Sequence, residues 1–307
     1  MPDSRSACLI VIAGPTASGK TDVAISVAKH FGCEIISADS RQFYRELKIG
    51  TAAPTEAQLA AVKHHFAGHL SIEDSYDVYR YEKEALELLD SLFMKERFAV
   101  LTGGSGLYIQ AVCEGFDELP DSDQEVRAEL RRIFESEGLP ALRQMLRKLD
   151  PAYAAEVDPS NPNRILRALE VSISTGKPYS SFRKGKINTR PFRIIKICLD
   201  LPRQELHERI NRRVDDMIKA GLVDEARAFY PHRTLNALNT VGYKELFSHF
   251  NGESSLEEAI ENIKTNTRRY ARRQITWFRR DREMTWCAPD PQEIIRVIEE
   301  KLRQIMP

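Results

Sequence analysis

Residues 7–21 read ACLIVIAGPTASGKT, and the fold turns on how this stretch is read. Its first seven residues are apolar without a break and include β-branched members, the pattern of a strand buried on both faces of a parallel sheet. The eight that follow, Gly14, Pro15, Thr16, Ala17, Ser18, Gly19, Lys20 and Thr21, have the spacing of a phosphate-binding loop. Beyond them Ala24, Val27, Ala28 and Phe31 fall on one side of a helix that Gly32 can stop. Strand, glycine loop and helix in that order are the context the motif requires. Its glycines let backbone N–H groups surround a phosphate at the positive end of the helix, Lys20 neutralises phosphate oxygens, and the Thr21 hydroxyl can ligate Mg²⁺. The loop predicts a di- or triphosphate site; the bland alternative is an ordinary tight turn.

Working outward, residues 34–38 (EIISA) and 98–102 (FAVLT) read as further buried strands. Between them Thr55 and Gln58 form a capping-box pattern, and residues 77–95 have helical periodicity through Tyr81, Ala85, Leu88, Leu89 and Leu92. Alternation of strand and helix marks a doubly wound sheet. It stops after Cys113, and about 75 residues pass without a convincing strand. That block predicts a helix capped by Ser122 and Glu125, another over residues 139–149, and a third over residues 163–175 ended by Gly176. Strand character returns only at residues 192–201, and from 203 onward the chain reads as helical, with a long helix over residues 255–280. The fold class is therefore α/β: a P-loop NTPase-like doubly wound parallel sheet with an inserted all-helical subdomain and a helical C-terminal region. Residues 1–116 and 190–307 would form the core domain and residues 117–189 the insertion.

Composition narrows the classes. Hydrophobic residues make up 42% of the 307 and charged residues 29%, which argues against intrinsic disorder and fibre. The 45 basic residues equal the 45 acidic ones, so attraction to a polyanion must come from local segregation of charge. No run approaches the roughly 20 apolar residues of a membrane span, and the start lacks the features of a signal peptide, so no membrane partner and a cytoplasmic location are expected. The five cysteines are scattered without a Cys-x-x-Cys pair, predicting buried thiols and neither zinc nor disulfides.

Five further features bear on chemistry. Asp39 falls just past the second strand, where ligands lie in open α/β sheets, and it can act as a Mg²⁺ ligand, a general base or a cap. The segment Thr102-Gly103-Gly104-Ser105-Gly106-Leu107-Tyr108 follows the third strand and brings backbone and a hydroxyl to the same crevice; a glycine turn chosen for close packing is the flat alternative. Residues 268–282 (RRYARRQITWFRRDR) hold seven arginines against one aspartate. Helical spacing sets Arg269, Arg273 and Arg280 on one stripe, with Tyr270, Trp277 and Phe278 able to stack, and a one-signed stripe favours nucleic-acid backbone over a solvated face. Arg164 and Arg167 stand three apart at a helix start, and Arg209 and Arg213 are one turn apart, a spacing able to clamp a diphosphate.

Taken together, these segments resemble the tRNA dimethylallyltransferases. The resemblance is carried by GPTASGKT (14–21), ISADSRQFYREL with IGTAAP (36–54), TGGSGLYI (102–109), NPNRILRALE (161–170), LHERINRRVDDMIKAGLVDE (206–225), VGYKE (241–245) and RRQITWFRR (272–280). Ser105 departs from the usual Thr, Lys48 from Asp and Ala53 from Lys. The resemblance implies transfer of a dimethylallyl group from dimethylallyl diphosphate to the N6 amine of the adenosine 3′ of the anticodon, by a monomer using Mg²⁺. It implies Asp39 as general base, with Lys20 and Thr16 sharing the catalytic work, and residues 16–21 as the diphosphate site. It assigns tRNA contacts to Asp39, Ser40, Arg41, Gln42, Ser105, Arg127, Asn163, Arg164, Ile165, Leu166 and Arg167, with the insertion gripping the anticodon arm. A small-molecule or nucleotide kinase explains the first 110 residues equally well, but not the arginine-dense helix. A nucleotide-dependent switch is weaker still, since the sequence shows neither an Asn-Lys-x-Asp guanine-reading segment nor an evident Walker B run of apolar residues ending in Asp.

Overall fold

The computed structural model describes residues 7–117, 119–120, 123–183 and 188–305. Strand β1 (Cys8–Ala13) is buried throughout, and its alternate side chains enter different cores. Leu9, Val11 and Ala13 join one, Cys8, Ile10 and Ile12 the other, which is why no polar residue interrupts the run. Helix α1 (Lys20–Phe31) follows and stops at Gly32, whose φ of 61° is left-handed. Next come β2 (Ile35–Ser37), α2 (Glu56–Ala61), β3 (His64–His65), α3 (Val78–Phe93), β4 (Phe98–Gly103) and α4 (Gly106–Glu114). Thr55 and Gln58 do form the reciprocal cap of α2.

The chain divides into two compact units, Gly115–Asn188 and the remainder on either side of it. The first holds α5 (Gln124–Leu149), α6 (Pro151–Glu156) and α7 (Pro162–Thr175); the second continues with β5 (Arg193–Leu199), α8 (Arg203–Lys219), α9 (Leu222–Phe229), α10 (Tyr243–Phe250), α11 (Leu256–Phe278), β6 (Thr285–Cys287) and α12 (Pro291–Ile305). The described strands make one parallel sheet in the order β3-β2-β4-β1-β5-β6. Helices α1 and α12 cover one face through Val23, Val27, Ile294 and Ile298, while α3, α4 and α8 to α11 cover the other through Tyr81, Val112, Val214, Leu222, Tyr243 and Phe278. The chain leaves β1 for β2 by passing over β4, so the connections diverge between β1 and β4. In such sheets ligands bind at the carboxyl ends of the strands at that point.

Two strands depart from the sequence reading. β3 and β6 have two and three residues, too few to show a period of two. Helix α6 was likewise not expected. The five cysteines are all buried and unpaired, as the reading predicted.

The Gly115–Asn188 unit packs Leu130, Leu142, Leu146, Tyr153, Ile165 and Leu169 into its own core. Gly138 (φ 76°, ψ −174°) breaks α5, giving the separate helices expected before and after it. The cap of the first is Asp123, whose carboxylate accepts N–H from Glu125 and Val126, whereas Ser122 lies outside the described residues. Asp150 is wholly buried and fully bonded: it caps α6 through the Tyr153 N–H at 3.0 Å and accepts from Ser180 N–H at 2.6 Å and Ser180 Oγ at 2.8 Å. Asp150→Ala removes the cap and orphans the Ser180 donors, a cost of about 2–4 kcal/mol. Faster proteolysis within residues 115–188 of that variant is the expected result; wild-type resistance would show that water serves these donors equally well.

Candidate active site

Three loops converge at the carboxyl ends of neighbouring strands. The loop after β1 carries the phosphate motif and ends at Gly19, whose φ of 89° no L side chain adopts readily. The first N–H groups of α1 point from there without intrahelical partners. Lys20 Nζ donates to the Pro15 carbonyl at 2.7 Å, and burial pulls its pKa down to about 8; Asp39 opposes that shift and Arg213 adds to it. Burial also lowers the pKa of Arg213, again opposed by Asp39. Two enclosed cations thus face one carboxylate, a positive excess that suits an anion of several charges.

Arg209 and Arg213 of α8 serve different parts of this place. A Cβ on Gly19 would lie 3.8 Å from Arg209 Nη1, so Arg209 reaches the end of the phosphate loop while Nη2 pairs with Glu205 at 2.8 Å. Arg213 instead lines a cavity of about 430 Å³ together with Thr16, Asp39, Ser40, Tyr270 and Arg273. Thr21 stands in the first turn of α1, half-buried. Among the described residues no cluster of three or more His, Cys, Asp or Glu could hold a metal alone. A Mg²⁺ ion held by one hydroxyl and by phosphate oxygens, its usual mode beside nucleotides and diphosphates, fits what is present. Ser18 Oγ, buried within the loop and without a hydrogen-bond partner among the described residues, adds an unspent polar group there.

The loop after β2 presents Asp39. Its Oδ1 accepts the Arg41 N–H at 3.2 Å, so the capping role exists, and the same side chain forms the cavity wall. Its charge is close enough to add to the rise that burial causes in Tyr270, whose pKa reaches about 12. Arg41 and Gln42, assigned to tRNA by resemblance, hold loops here. Arg41 donates to the carbonyls of Asn236 (2.7 Å) and Ala237 (3.2 Å), and Gln42 to those of Thr51 (3.2 Å) and Ala52 (2.9 Å). Ser105, after β4, accepts the Ser40 N–H at 3.0 Å and donates to Ser40 Oγ at 3.1 Å.

The arginine segment needs correcting. Helix α11 ends at Phe278, so Arg280 lies beyond it and off the predicted stripe, with its guanidinium 5.9 Å from the Trp277 ring. Arg268 turns to Asn211 at 2.6 Å and Thr265 at 2.9 Å. The exposed helical arginines are Arg269, Arg272 and Arg273. In the other unit, Asn163, Arg164 and Arg127 are exposed, but Ile165 is fully buried in the core and cannot offer its side chain to RNA. Leu166 is half-buried, and Arg167 is committed to Glu170 at 2.8 Å and the Pro120 carbonyl at 2.8 Å.

Three residues escaped the sequence reading. Glu225 accepts N–H from Lys48 (3.1 Å), Ile49 (2.9 Å) and Gly50 (2.9 Å) and the Tyr243 hydroxyl (2.6 Å), fixing the loop whose Gly50 and Thr51 line the cavity. Gln274 joins the loops after β1 and β4. All three look like ordinary helix residues in sequence, and no spacing connects Glu225 or Gln274 to partners more than a hundred residues away.

A glycine-rich loop on a parallel sheet, with half-buried cations facing a carboxylate, is an α/β arrangement suited to an anion of several charges. Comparison with known proteins narrows it. The family model described as IPP transferase matches residues 42–281. The tRNA dimethylallyltransferase of Christiangramia forsetii is 53% identical over 96% of this chain and 98% of that relative. The solved tRNA isopentenylpyrophosphate transferase of Bacillus halodurans is 37% identical, with 97% of each chain covered and a TM-score of 0.71. A eukaryotic dimethylallyltransferase, described as acting on tRNA, is 28% identical with a TM-score of 0.73, covering 88% of this chain and 69% of that one. This chain belongs to the IPP transferase family, the tRNA dimethylallyltransferases. The matched span includes the 163–167 cluster and the arginine helix, which the kinase alternative left unexplained. Among the described residues no helix is long and apolar enough to cross a membrane.

Proposed function

We propose that this chain transfers a dimethylallyl group from dimethylallyl diphosphate to the N6 amine of the adenosine on the 3′ side of the tRNA anticodon. The observation that best supports it is the cavity lined by Asp39, Thr16 and Arg213, beside the loop that carries the half-buried Lys20. An aromatic amine is a weak nucleophile because its lone pair is delocalised. As the bond from N6 to the allylic carbon forms, Asp39 accepts the N6 proton, and the breaking C–O bond leaves its electron pair on the diphosphate. Lys20, Arg209 and Arg213 stabilise that departing charge. Mg²⁺ held at the Thr21 hydroxyl would supply further positive charge to the phosphates. The adenosine must leave its stack for N6 to be reached, and Arg269, Arg272 and Arg273 offer phosphate contacts from α11. In the other unit Arg127, Asn163 and Arg164 are the exposed candidates. A tRNA carrying inosine at that position, which lacks the exocyclic amine, should accept no prenyl group while the adenosine form does; equal labelling of both would refute N6 as acceptor.

Lys20 gives the binding step a pH signature. Its folded pKa of about 8 lies below the ordinary 10.5, so the unliganded fold gains stability as pH rises across that window and loses the Lys20 charge there. Diphosphate favours the charged form, so binding should take up a proton above pH 8 and weaken by up to about tenfold per pH unit. Lys20→Arg keeps its charge throughout and serves as control for ionisation of the ligand. Calorimetry at pH 9 in two buffers of different ionisation enthalpy should find more proton uptake in wild type than in Lys20→Arg; equal uptake would remove Lys20 from the site.

A further inference from the structure

The buried residues of α11 are Ala259, Ile263, Ala271, Gln274 and Phe278, and Gln274 is the one polar member. A buried amide is costly unless both of its ends are bonded. Here Oε1 accepts the Thr16 N–H at 2.9 Å and Nε2 donates to the Gly104 carbonyl at 2.8 Å. The glycines of that second loop make room for the helix. A Cβ on Gly104 would lie 2.3 Å from Gln274 Nε2, and one on Gly106 would lie 2.2 Å from Trp277 Cδ1.

The bonds continue past Gly104. Ser105 N–H reaches the Ala38 carbonyl at 3.3 Å, and Ser105 Oγ accepts the Ser40 N–H at 3.0 Å, one residue on either side of Asp39. Gln274 therefore closes a chain from the phosphate loop to the residues that flank the carboxylate. The loop end of that chain is strained: Ala17, next to Thr16, has a φ of 64°, a left-handed conformation that alanine adopts only when its surroundings impose it. Because the Thr16 N–H is spent on Gln274, it does not serve a phosphate. Its bond instead sets where the loop stands.

We propose that Gln274 is a positioning residue for prenyl transfer, fixing the spacing between the diphosphate-holding loop and Asp39. The inference rests on the transfer reaction proposed above. Gln274→Met keeps the length of the side chain and removes both bonds. Its kcat should fall by about tenfold to a hundredfold, since a displacement of about 1 Å is enough for that. Affinity for inorganic diphosphate should fall about tenfold, while tRNA affinity at fixed salt stays at the wild-type level. Gln274→Glu is the second variant. A neutral carboxyl group supplies the one donor and one acceptor that the amide uses here, whereas a carboxylate keeps only the bond to Thr16 and repels the Gly104 carbonyl. The ratio of its transfer rate to that of wild type should rise as pH is lowered, and a purely packing role would leave that ratio flat.

A folded Met variant within twofold of wild type in kcat and in diphosphate affinity overturns the proposal, and so does a flat Glu ratio. The diphosphate titration needs no transfer. A wild type that transfers nothing, yet loses diphosphate affinity on substitution to Met, refutes the transfer reaction and leaves the positioning of the loop standing.

Discussion

Asp39→Ala should slow prenyl transfer by about 10²–10⁴-fold and change tRNA affinity little, because it removes the group that takes the N6 proton only as the new bond forms. The structure makes this test sharper than a bare deletion. Asp39 Oδ1 also accepts the Arg41 N–H, and Arg41 in turn ties down residues 236 and 237. Loss of the cap alone would lower stability by about 0.5–2 kcal/mol without touching chemistry in the remaining folded protein. Asp39→Asn separates the two effects, since its amide oxygen can cap the turn but cannot accept a proton. Equal and large losses of kcat in Asn and Ala identify the base; a near-normal Asn variant would leave Asp39 as a cap.

The second large effect concerns salt. The protein has no net charge, so a steep dependence of tRNA binding on ionic strength has to come from a local patch. Each phosphate neutralised contributes a slope of about −0.9 on duplex or −0.7 on single strands in log affinity against log salt. Since Arg280 lies past the end of α11, the set to replace is Arg269, Arg272 and Arg273. Changing all three to Gln preserves helix propensity and should flatten the slope by roughly two to three units, with affinity at low salt falling severalfold or more. Diphosphate affinity should change far less than the salt slope, and any change should trace to Arg273, the one member of the set that lines the cavity. A folded triple variant with an unchanged slope would mark these arginines as solvated surface.

How far the sequence foretold this structure depended on whether a residue's role was local. The strand, loop and helix of residues 7–31 were legible because burial of β1 on both faces, the glycine spacing and the Gly32 stop all act within a few residues. The stop at Gly176 was legible for the same reason. Arg213 and Asp39 could be named as candidates, yet only the fold brings both to one cavity wall. Ile165 shows the opposite failure. It lies between arginines in a segment assigned by resemblance to tRNA, but the helical period turns it into the core. Gln274 sat in plain view inside the arginine run, where charge drew the eye. Its two partners lie 258 and 170 residues away, and nothing in the pattern of one helix reports on them. Glu225, half-buried and bonded to the backbone of residues 48–50, was hidden in the same way.

The most direct test of the whole account sets two donors against each other. The chain is incubated with unmodified tRNA, dimethylallyl diphosphate labelled in its carbon chain, and ATP labelled in its terminal phosphate. Carbon label should enter the tRNA at the adenosine beside the anticodon, with release of diphosphate and no phosphate label in any acceptor. Phosphate label appearing in product, with no carbon label in the tRNA, would contradict it and return the phosphate loop to kinase chemistry.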